Sequence, residues 1–234
     1  MKRNLKFSFL ILFMGLSSPA FSQTPKVKFL PEDFRASDYE KYSLKKKFPK
    51  EIEAQVLTAL SFYPQLLDTR IKFRFKKRKT PLTSRPRIMH VFLPKKWRTY
   101  IITISSETTE SFAPILFSRL PYNAQIGVLG HEIAHVLEYR TQTSFQLIAL
   151  GFKLGNPHFT DKFEFRTDER TISHGLGYQL FGWSSFVRKE LKVAEWKGAS
   201  EVLESGNIPE AKERYMNPKT IKKYMVENPI YDIK

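Results

Sequence analysis

Hydrophobic positions recur along this chain with two different periods, and the points where the period changes mark its elements. Ile52, Val56, Leu57, Leu60 and Phe62 recur at helical spacing, so 49–63 is predicted as a helix with proline in its first turn. The period then drops to two. Ile71, Phe73 and Phe75 alternate with Lys72, Arg74 and Lys76, giving a strand with one apolar and one basic face. Pro81 and Pro86 mark the following segment as loop. Residues 87–93 and 99–104 read as two further strands, and the three runs together predict a small, mainly antiparallel sheet. His90, inside one of these strands, reads as structural.

Helical spacing returns at 123–139, where Ile126, Leu129, Ile133, Val136 and Leu137 form an apolar stripe and Asn123, after Pro121, is the expected cap. A second helix at 144–154 is broken by Gly155-Asn156-Pro157, which leaves His158 as a solvated loop residue. Thr160 or Asp161 is expected to cap the next helix, with Glu164, Asp168, Ile172 and Leu176 down one side and the pair Glu169-Arg170 turned away from it. Gly175 and Gly177 loosen its end. Beyond them 178–192, 209–215 and 218–226 look helical and form a covering layer. The expected class is α+β.

Composition narrows what such a domain can do. The chain has no cysteine, which excludes disulfides, thiolate metal ligands, a cysteine nucleophile and a lipidated cysteine. Residues 1–22 have the form of a signal peptide: Lys2, Arg3 and Lys6, then an apolar run from Phe7 to Leu16, then Ala20-Phe21-Ser22 before Gln23. That run is shorter than the roughly twenty residues a membrane span needs, so an exported chain without a spanning segment is expected, periplasmic or secreted. The roughly 212 residues that remain suit one domain. A basic, irregular arm is expected at 23–48 and a single domain at 49–234. The formal charge of +16 becomes +13 once Lys2, Arg3 and Lys6 leave with the signal. Such a surface draws polyanions or a membrane surface, or is simply solvated; nothing in it specifies a nucleic acid.

The sharpest chemistry lies at Gly130-His131-Glu132-Ile133-Ala134-His135. Histidines four residues apart share one helix face and can reach one metal ion, for which tetrahedral zinc is the usual guest. Glu132 flanks that ion at the distance of a water bound to it, the position of a general base, and this H-E-x-x-H pattern is a metalloprotease signature. Zinc needs a third protein ligand, and Glu164, Asp168, Glu169, His158 and His174 are the candidates downstream.

Phe163-Glu164-Phe165-Arg166-Thr167-Asp168-Glu169-Arg170 resembles the E-x-x-x-D segment of the gluzincin peptidases, in particular the CAAX prenyl protease and HtpX family, over about fifty residues. The resemblance implies a zincin-like domain with an active-site helix and a second ligand-bearing helix. It makes Glu164 the third zinc ligand and Asp168 its supporting carboxylate; their i, i+4 spacing agrees, since it puts both on one face. The chain departs from that family in lacking membrane spans and in having Thr167 where a small alanine is usual. The function implied is an exported peptidase using one Zn2+, with Glu132 as base and a peptide or protein as substrate. In such enzymes the strand beside the active-site helix binds the peptide, so 87–93 or 99–104 is expected to do so. His174, Arg170 and Tyr178 are the candidate oxyanion donors. Two other readings stay open: a zinc-stabilised binding protein without turnover, and a basic envelope protein that binds polyanions.

Overall fold

A computed structural model describes residues 24–195 and 213–232. The expected signal at 1–22 and most of the expected helix at 209–215 lie outside the described residues. The described strands are β1 (Lys46–Lys47), β2 (Arg70–Phe75), β3 (Leu82–Pro86) and β4 (Thr99–Ile104), in the spatial order β1-β2-β4-β3. The helices are α1 (Glu40–Ser43), α2 (Glu53–Ser61), α3 (Tyr122–Thr141), α4 (Ser144–Lys153), α5 (Pro157–Thr171), α6 (Gly177–Leu191) and α7 (Pro218–Val226). The class is α+β.

The sheet is mixed rather than mainly antiparallel. β1 and β2 run parallel, as do β2 and β4, where Ile71 lies beside Tyr100 and Phe73 beside Ile102; β3 alone runs antiparallel, with Ser84 opposite Ile102. Parallel neighbours need a crossover, which α2 supplies between β1 and β2, and strand periodicity carries no information about crossovers. Two expected segments also exchange roles. Residues 82–86, expected as loop because of their flanking prolines, form edge strand β3, where a proline is tolerated. Residues 87–93, expected as a strand, hold a 3-10 helix at Ile88–Phe92 that includes His90. β4 is therefore an inner strand, with Tyr100, Ile102 and Ile104 buried on one face and Ile101 and Thr103 on the other.

Helix α3 is the centre of the molecule, with α2, α5, α6 and β3 packed around it. Val56, Leu60 and Tyr63 meet Ile102, Ile126 and Ile133 in the main core. A helix wrapped on all sides has little polar surface to show, and α3 is buried over most of its length. Asn123 does not cap it: the N-cap is Pro121, and the Asn123 side chain accepts from Phe29 N and donates to Phe29 O, both at 2.8 Å, tying down the segment before α1. Helix α5 is capped neither by Thr160 nor by Asp161. Asn156 accepts from Phe159 N at 3.1 Å and Pro157 opens the helix, so His158 lies in its first turn and not in a loop.

The turn from α5 into α6 is a π-type stretch, Ile172–Leu176, in which Gly175 has φ 97°. It sends α6 back along α3. There Gly127 lets the two backbones touch, since a Cβ on it would stand 2.3 Å from Gln179 O. Met216, Ile221 and Met225 then close over Ile172 and Leu180 as a second, smaller core, so α6 and α7 form the helical layer expected for the C-terminal part.

These backbone requirements can be measured. Gly175→Ala puts a side chain at positive φ and 3.1 Å from the Phe62 ring, and is expected to lower stability by about 2 kcal/mol. Gly182→Ala, inside α6 with open space around it, is expected to raise stability by about 0.5–1 kcal/mol. Urea unfolding of both variants checks the pair, and equal effects would contradict this account of the turn.

Candidate metal centre

The i, i+4 spacing on α3 brings the His131 and His135 rings to 4.7 Å between centroids, edge to face. Their Nε2 atoms are 3.1 Å apart, and Glu164 Oε2, arriving from α5, is 3.1 Å from each. Three donor atoms thus form a nearly equilateral triangle. Bonds of about 2.0–2.1 Å place the ligand atoms of a tetrahedral ion about 3.3 Å apart, so the triangle fits one face of such an ion. These three side chains could hold a metal ion.

The second nitrogen of each ring shows which way its lone pair points. His131 Nδ1–H donates to Asp168 Oδ1 at 2.7 Å, and Asp168 Oδ2 accepts the backbone N–H of Met216 at 2.7 Å. His135 Nδ1–H donates to Thr167 Oγ1 at 3.2 Å, because the Thr167 hydroxyl spends its own proton on Phe163 O at 2.9 Å. With both Nδ1 atoms committed as donors, both Nε2 atoms offer lone pairs to the triangle, and the Glu164 carboxylate offers a third. Three lone pairs at such a distance repel unless a cation sits among them. A proton can take the cation's place, and the electrostatics follow that logic. Burial works against charge on His131, yet the charge and hydrogen bond of Asp168, joined by Glu164, hold its pKa well above the usual value. Burial likewise opposes ionisation of Glu164, but the two histidines outweigh it and its pKa falls.

The triangle faces a cleft of about 480 Å3. Glu132 reaches into it. Its Oε2 is buried and has no hydrogen-bond partner among the described residues, and burial, against the pull of His135 and His131, raises its pKa. One wall is the edge strand, from Leu82 to Ser84; the opposite wall holds Trp183, Val187 and Tyr215, with Phe163 stacked on His135 at 5.0 Å. Set against known protein families, curated proteins and solved structures, the chain matches none of them.

Five of the residues expected from the sequence are thus brought together: His131, Glu132, His135, Glu164 and Asp168. The three candidate oxyanion donors are not brought to the cleft. His174 is stacked on Tyr63 at 4.6 Å and donates through Nδ1 to Arg170 O; Arg170 pairs with Glu138 at 2.5 Å; Tyr178 packs edge-on against Tyr231. Arg170 lies in the last turn of α5, His174 in the π-type stretch and Tyr178 in α6, and none of the three lines the cleft. His90 and His158 stay apart from the triangle as expected, and Glu169 is exposed.

Sequence reasoning missed three contributors. Thr167 orients His135, and its signal was present, since positions i, i+3 and i+4 from Glu164 share a face. The edge strand was masked by its prolines. The third is the strap 213–217, which has no local pattern. Buried Arg188 of α6 holds it, donating to Asn217 Oδ1 at 2.6 Å, Tyr215 O at 3.2 Å and Met216 O at 3.3 Å. That clamp keeps Met216 N on Asp168 and Tyr215 beside His131, with ring centroids 5.8 Å apart.

Zinc titration separates ligand from neighbour. Glu164→Ala is expected to lose most of the affinity while Glu169→Ala keeps it, and Asp168→Asn to weaken binding about 10–100-fold through the orientation of His131. Equal affinity in Glu164→Ala and Glu169→Ala would remove Glu164 from the site.

Proposed function

We propose that this chain is an exported zinc peptidase of the gluzincin kind. The observation that carries the reading is the buried carboxylate of Glu132, whose Oε2 has no hydrogen-bond partner among the described residues, beside a triangle of atoms that could hold a metal ion and in a cleft lined by an edge strand. A purely structural zinc site is closed and has no use for such a group.

An ion held by His131, His135 and Glu164 supplies Lewis acidity, polarising a carbonyl and making water acidic near neutral pH. The chain's own residues do the rest. Among the described residues edge strand β3 pairs with β4 on one side, and its other side, where Tyr139 Oη donates to Ser84 O at 3.4 Å, can receive an extended peptide by the remaining backbone groups. That role passes to 82–86 from the segments 87–93 and 99–104, one of which is helical and the other enclosed by two neighbours. Glu132, its pKa raised by burial, takes the proton of the attacking water and returns it to the leaving amine. Asp168 and Thr167 hold the two imidazoles in the tautomer that presents Nε2 inward. Tyr215, in the cleft wall beside His131, is the residue we assign as oxyanion donor.

Digestion of a peptide library by the purified chain, with and without a chelator, tests the reading. Glu132→Gln is expected to keep zinc and lose hydrolysis. Tyr215→Phe is expected to lower kcat about 100-fold with KM nearly unchanged. A chain that binds zinc but cuts nothing, in the parent as in Glu132→Gln, would leave the metal as a staple between α3 and α5.

A further inference from the structure

Away from the cleft, helix α4 has an apolar face on each side. Leu147 and Leu150 point into the core, but Phe145 and Phe152 are 86% and 82% exposed, and Ile148, between them in the same i, i+3, i+7 row, is also exposed. The 3-10 turn Ile88–Phe92 packs against α4 and adds Ile88, Met89 and Phe92, each about two-thirds exposed. The two elements are tied together. Ser144 Oγ donates to Val91 O at 2.7 Å, and buried Arg98 donates to Leu93 O, Gln142 O and Ser144 Oγ. Trp97, half exposed, follows on the same connection. Monomeric proteins rarely show so many large apolar side chains in one place without a partner for them.

Charge says what kind of partner. No acidic residue occurs between Asp68 and Glu107, a stretch that holds twelve lysines and arginines, and none occurs between Glu138 and Asp161. Arg87, Lys95, Lys96 and Lys153 are exposed on or beside the apolar elements. We propose that this face docks on an anionic lipid bilayer, with the Phe145, Phe152 and Phe92 rings entering the interfacial region and the basic rim meeting the headgroups. A second copy of the chain fits less well, since a symmetric contact would press like-charged rims together. Side chains more than four-fifths exposed stand clear of any wall, which suits a soft, deformable acceptor more than a carved protein pocket. Leu154, directly after α4, lines the cleft, so docking sets the mouth of the metal centre close to the lipid surface. The proposal does not depend on the chemistry of that centre.

Flotation of the purified full chain with vesicles of phosphatidylcholine alone, or of phosphatidylcholine with phosphatidylglycerol, tests it at low and high salt. The parent is expected to float with the anionic vesicles and not with the neutral ones, with salt weakening the binding. Phe145→Ser/Phe152→Ser is expected to lower binding about tenfold or more, and Arg87→Gln/Lys96→Gln several-fold, with zinc content unchanged in both. The proposal is overturned if the parent stays with the soluble fraction. It is equally overturned if the double serine variant floats like the parent, which would mean charge alone acts, or if the parent is a dimer that the serine variant dissociates.

Discussion

Three lone pairs held 3.1 Å apart, on His131, His135 and Glu164, are the constraint around which the described structure is arranged. Left to themselves such groups separate, so each must be held from behind. α3 supplies two of them from one face, and its burial between the sheet and α6 leaves it no freedom to roll. α5 supplies the third. The outer hydrogen bonds from Asp168 and Thr167 then settle the tautomers, and they come from the same face of α5 as Glu164 itself. One helix therefore provides one corner of the triangle and the two groups that aim the other corners.

The chain of support continues outward. Asp168 is useful only while its second oxygen is occupied, and that occupant is the backbone of Met216, in a strap held locally by Glu213, which accepts from Asn217 N at 2.7 Å and Thr220 Oγ1 at 2.8 Å. Buried Arg188 ties that strap to α6, through carbonyls and Asn217. A guanidinium with five donors in a planar fork suits this task, because it satisfies several backbone acceptors at once while remaining charged. The C-terminal layer is thus more than a cover for the apolar side of α5 and α6, since it carries the last link of the support and a wall of the cleft.

Two properties of the surface bear on where this cleft works. Among the described residues the edge strand pairs with β4 on one side, and on the other Ser84 O accepts from Tyr139 Oη at 3.4 Å; edges of this kind are usually blunted by charge or proline, and here Pro81 precedes the strand, Pro86 ends it and Arg85 lies on it. On the other side, α4 shows aromatic side chains among basic residues. Among the described residues no helix is long and apolar enough to cross a membrane.

Much of this was legible in the residue pattern, and the reason is geometric. Contacts set by helical repeat, such as His131 with His135 or Glu164 with Asp168, are fixed by 3.6 residues per turn and need no knowledge of the fold. The same repeat made α2, α3, α6 and α7 recognisable, and the alternation at 71–76 revealed β2. What periodicity cannot express is which element lies beside which. That β4 is an inner strand and 82–86 the edge, that His174, Arg170 and Tyr178 find partners away from the cleft, and that Tyr215 arrives beside His131 all depend on crossovers, a positive φ and a buried arginine acting across long separations in the chain. The sequence by itself determined the donor atoms and their local spacing; only the tertiary structure decided what surrounds them, because the surroundings come from segments whose own patterns carry no record of their neighbours.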